Sequence, residues 1–105
     1  MTSEGDQVPP VEYALSEALG HVRNATAALL GAQDQSSRSL RWGIAGLDLQ
    51  GLFGDVWPVW IDDDLTAAES LAAAERLLGG VIDQVPLGLW SALRSLREQV
   101  SDGDR

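Results

Sequence analysis

The sequence predicts an all-α protein, a compact bundle of about four helices. Three observations lead there. Apolar residues recur at alternating steps of three and four along three separate stretches, the period of a helix with one buried face. Prolines, glycines and small polar clusters punctuate the boundaries between them. The one run that alternates like a strand, "GLDLQGLF", has no evident strand partner, and an isolated strand would leave its backbone groups unpaired. At 105 residues and 45% hydrophobic composition the chain supports a single domain with one modest core, folding away about 65% of its unfolded surface. That domain is expected over residues 9–100, with polar, disordered tails at 1–8 and 101–105.

The first helix is read from "PPVEYALSEALGHVRNATAALLGAQ". Val11, Leu15, Ala18, Val22, Ala25 and Leu29 lie on one face, and Leu19 and Leu30 widen it enough for more than one neighbour. Two prolines suit the first turn, and Gly31 with "AQDQSS" supplies the stop.

In "SSRSLRWGIAGLDLQGLFGDV" Ser37 or Ser39 can cap, and Leu40, Ile44 and Leu47 keep a helical period. Gly43, Gly46, Gly51 and Gly54 each cost about 1 kcal/mol against alanine inside a helix, so the second helix is expected to be irregular or broken. A Trp-Pro loop follows, "GDVWPVWIDDD". Extended backbone there sends Trp57 and Val59 one way and Pro58 and Trp60 the other, so one indole is expected to plug the bundle while the other stays outside; a loop pinned by two buried rings is the equally weighted alternative.

"TAAE" from Thr66 to Glu69 is a capping box. It opens a third helix with Ala67, Leu71, Ala74 and Leu78 on one face, expected to run through Gly79 and Gly80 toward Val81, Ile82 and Val85 until Pro86 stops it. The last helix, "PLGLWSALRSLREQV", aligns Leu89, Leu93, Leu96 and Val100, with Trp90 beside the stripe and Arg94 and Arg97 on the other flank. Leu15, Val22, Leu71, Leu78, Leu93 and Leu96 are the expected centre of the core.

Composition narrows the chemistry. No cysteine means no disulfide, no zinc–thiolate site and no thiol nucleophile. All seven basic residues are arginine, so there is no lysine for a Schiff base or a phosphate loop. Net charge is −9, concentrated in residues 1–36 and 55–85, which argues against direct nucleic-acid binding; solubility alone explains much of this acidity, and a partner with a basic surface is the sharper alternative. "MTSEGDQ" is acidic where a secretion signal is basic, and no apolar run is long enough to span a membrane, so a cytoplasmic protein is expected.

Asp62, Asp63 and Asp64 resemble a hard-cation cluster, but a calcium loop begun at Asp62 would need glycine and glutamate where Ala67 and Ala73 stand. Carboxylates just before a helix more simply stabilise its N-terminus. His21, the only histidine, shares a face with Glu17, and a helix-surface pair explains it better than a general base. No nucleophile elbow, dinucleotide fingerprint or phosphate loop occurs. Catalytic residues, cofactors and metal ligands are therefore expected to be absent.

A non-catalytic accessory or regulatory protein acting through protein–protein contact, and self-associating as a homodimer, fits best. Its expected surface comprises Trp42, Gly43, Gly46, Phe53, Trp57, Trp60 and Trp90, with Arg38 and Arg41 meeting acids of the mate's 55–85 region. The alternative is a small-molecule-binding or weakly catalytic protein with an apolar pocket lined by Phe53, Trp57, Trp60 and Trp90.

Overall fold

A computed structural model of the chain describes residues 10–31, 37–62 and 64–103. The N-terminal tail, the polar segment after Gly31, Asp63 and the last two residues lie outside these. Every regular element among the described residues is helical: α1 (Pro10–Leu30), α2 (Ser37–Leu52), α3 (Ala67–Gly79), a short 3-10 turn (Ile82–Gln84) and α4 (Leu87–Gly103). No helix among them is long and apolar enough to cross a membrane.

α1 and α2 form an antiparallel hairpin whose contact is set by glycine. A Cβ at Gly43 would overlap the Leu30 side chain, 2.7 Å from its Cγ, and one at Gly46 would overlap the Thr26 hydroxyl, 3.3 Å from its Cβ. As the α1 number rises from 26 to 30 the α2 number falls from 46 to 43, which fixes the antiparallel sense. Thr26 is buried without penalty because its hydroxyl donates to the Val22 carbonyl at 2.8 Å.

α2 is one uninterrupted helix and not the irregular element expected from its glycines. The propensity lost at Gly43 and Gly46 is offset by close packing on α1, since tertiary contact outweighs intrinsic preference. The expected cap at Ser37 or Ser39 falls on side chains outside the described residues.

α3 and α4 form the second antiparallel hairpin. Glu75 on α3 accepts from Arg97 on α4 at 2.7 and 3.3 Å, and Gly79 faces the Trp90 ring. The capping box at the start of α3 is complete: the Glu69 N–H donates to the Thr66 hydroxyl at 3.1 Å, and the Thr66 N–H donates to the Glu69 carboxylate at 2.9 Å. α3 stops at Gly79 and does not run on toward Val85; the chain turns at Gly80 and makes a 3-10 turn instead. α4 continues through Gly103, past the boundary at Val100 expected from the sequence.

The hairpins pack with α1 against α3 and α2 against α4. The shared core holds Val22, Leu71, Leu78, Leu93, Leu96 and Val100, with Leu15 partly buried at its edge. Buried alanines (Ala14, Ala18, Ala25 and Ala74) let helices approach closely and keep this core thin.

Two substitutions should move stability in opposite directions. Leu93→Ala, at a fully buried site, should cost about 2–5 kcal/mol in chemical denaturation. The Ser70 hydroxyl is buried with no hydrogen-bond partner among the described residues, so Ser70→Ala should be neutral or stabilising by up to about 1 kcal/mol. A loss above that at position 70 would mean the hydroxyl has a partner.

Candidate interaction surface

Between the hairpins the chain runs along α1 as a strap without regular secondary structure, residues 56–61. α2 ends at Leu52, and Gly54 takes φ +70°, the left-handed conformation that turns a chain out of a helix at little steric cost. The Val59 N–H then donates to the Ser16 carbonyl at 3.1 Å, and the Asn24 side-chain amide donates to the Ile61 carbonyl at 2.9 Å. Between these two anchors lies Gly20. A Cβ there would overlap the Val59 carbonyl oxygen and stand 2.9 Å from Ile61 Cδ1. Ser16, Gly20 and Asn24 are four residues apart and so form one line along α1. This line faces away from the apolar stripe.

So close an approach leaves no room for an indole beneath the strap. Val56 packs against the core and Ile61 lies over Gly20, while Trp57 and Trp60 are 85% and 83% exposed. Neither ring plugs the bundle, contrary to the expectation from alternation. Each borders its own depression. Trp57 joins Glu12, Ser16, Asp55 and Val56 around a hollow of about 440 Å³. Trp60 joins Gly20, Arg23, Asn24 and Ile61 around one of about 160 Å³.

The other residues singled out from the sequence stand elsewhere. Trp42 and Phe53 are buried in the core, and Gly43 and Gly46 are buried beneath α1. Trp90 is half-buried on the second hairpin, with the Arg94 guanidinium 5.9 Å above its ring. Glu75 joins that cluster through Arg97 and, at 4.0 Å, Arg94. Phe53, Trp57, Trp60 and Trp90 thus occupy four different settings.

α2 carries a second apolar face that its period disguised. Leu40, Ile44 and Leu47 are each about half exposed, because the buried face is the one bearing Trp42, Gly46 and Leu49. Glu17, grouped with His21 in the sequence, accepts a hydrogen bond from the Tyr13 phenol, and that bond, together with the carboxylate's charge, holds the phenol above its ordinary pKa. Asp62 and Asp64 are exposed ahead of the Thr66 cap, and among the described residues no three His, Asp or Glu side chains converge as metal ligands. The Ser16–Gly20–Asn24 line is not evident in the sequence. Its one signal is Gly20 itself, an unfavourable residue in mid-helix.

No known protein family, characterised protein or solved structure matches this chain.

Gly20→Ala should displace the strap and destabilise the fold by about 1–3 kcal/mol, read by thermal unfolding with a shift in tryptophan emission. Gly51→Ala, which enters open space, should instead stabilise by up to about 1 kcal/mol. Equal responses at the two sites would show that the strap does not need the close approach.

Proposed function

We propose that this is a non-catalytic accessory or regulatory protein of the cytoplasm that binds a protein partner through the strap. One observation carries the reading: two neighbouring indoles, each more than four-fifths exposed, stand on backbone anchored to α1 at Ser16 and Asn24. An indole buries about 150–250 Å² when covered, and tryptophan is enriched among residues that dominate binding energy. Anchored backbone also lowers the entropy lost on docking. Glu12 and Asp55 beside Trp57, with Asp62 and Asp64 exposed further on, favour a partner with a basic surface. A chain with one histidine, no cysteine and no lysine is poorly equipped for catalysis. Self-association as a homodimer belongs to the same reading.

The hollow beside Trp57 favours a second reading, a small-molecule site in which the ring stacks on a ligand and Glu12 and Asp55 meet a cationic group.

Both rings project into solvent, so Trp57→Ala/Trp60→Ala should leave the unfolding midpoint within about 0.5 kcal/mol of the parent. Immobilised parent and double variant, exposed to the same native cytosol, should then differ. Proteins retained by the parent should be lost from the variant and eluted by moderate salt. Identical capture profiles would refute the strap as the recognition surface.

A further inference from the structure

We infer that the outward face of α2 is a homodimer interface, formed by antiparallel packing of α2 on α2 of a second copy with its twofold axis at Ile44. The inference rests on the self-association in the preceding reading but places it away from the strap. Leu40, Ile44 and Leu47 stand 53%, 51% and 51% exposed on a helix whose opposite side is already packed into the core. Spaced four and three apart, they form one continuous ridge.

Charge selects the occupant. Arg41 and Asp48 flank the ridge, both exposed, and neither has an ion-pair partner among the described residues. They are seven residues apart, about two helical turns, so they share one side of the ridge. Leu40 and Leu47 are also seven apart. The midpoints of the two pairs fall on either side of Ile44, within one residue of each other. A twofold axis at Ile44 therefore sets Ile44 against its own copy and Leu40 against the mate's Leu47. The same axis brings Arg41 to the mate's Asp48 and Asp48 to the mate's Arg41. A parallel twofold would instead carry Arg41 and the mate's Arg41 to opposite sides of the ridge, and likewise Asp48, so that neither charge would meet an opposite one. This self-complementarity is what an isologous contact requires.

Long-range repulsion points to the same face. Two copies at −9 repel, least where acids are fewest, and residues 37–54 hold two arginines against one aspartate.

Sedimentation equilibrium at micromolar concentration, at low and high salt, tests this. The parent should be a dimer. Ile44→Asp should be monomeric with unchanged helical circular dichroism. Arg41→Asp places four acids at the contact and Asp48→Arg four bases, so each alone should weaken association by about tenfold or more. An equimolar mixture of the two variants should dimerise again, because each copy then supplies the charge the other lacks. Trp57→Ala/Trp60→Ala should remain dimeric. A monomeric parent overturns the proposal, and so does a dimer indifferent to Ile44→Asp. A mixture no tighter than its components overturns the antiparallel register. If the tryptophan double variant loses the dimer while Ile44→Asp keeps it, association runs through the strap; the α2 interface is then wrong and the interaction reading stands. Conversely, a dimer abolished by Ile44→Asp, in a protein whose capture profile ignores the tryptophan pair, upholds the α2 interface and refutes the strap.

Discussion

The Val59 carbonyl oxygen occupies the space in which a side chain at position 20 would stand. That close approach decides where the strap lies, and the strap joins the two hairpins. With the backbone seated on α1, Ser16 and Asn24 satisfy a donor and an acceptor that a segment without regular secondary structure otherwise leaves to water. Ile61 and Val56 are small enough to turn inward, and the indoles beside them are not. The tryptophans are outside because the backbone is so near, and their anchored display follows from a glycine that looks like a defect in its helix.

Volume supplies the second constraint. Helices α1 and α3 present alanines to the interior, which brings elements together and leaves a core filled by leucine and valine. Of the four tryptophans only Trp42 is buried; Trp90 is half-covered, partly by its own Arg94, and the strap pair is solvated. α2 shows the same excess along its length. One face is consumed by α1 and α4, and the other still carries an isoleucine and two leucines. Apolar surface that one small domain cannot cover marks contact sites. Here it falls in two distinct places, one bordered by acids and one by a matched Arg41 and Asp48.

Much of the architecture is legible from residue pattern. The apolar faces of α1, α3 and α4 are local periodicities, and every leucine expected at the centre is buried or packed at its edge. The Thr66–Glu69 box forms as expected, because a capping box closes within one turn and needs nothing beyond it. α2 misleads for the opposite reason. Its glycines count against a helix when taken alone, and only the Leu30 and Thr26 side chains opposite them make their absence of bulk favourable. Its visible stripe, Leu40–Ile44–Leu47, is real as a period but belongs to the exposed face.

The sequence by itself determined that this is a helical protein, where three of its helices turn their apolar sides, and that its composition is ill-suited to thiol, Schiff-base or phosphate-loop chemistry. Those properties depend on residue type and on spacings within a few turns. Which aromatic rings are displayed was decided by tertiary structure alone. Alternation along "WPVW" assigns the two indoles to opposite sides, but burying a ring needs a cavity on one of those sides. The depth of that space is set by Gly20, thirty-seven residues before Trp57 and on another element.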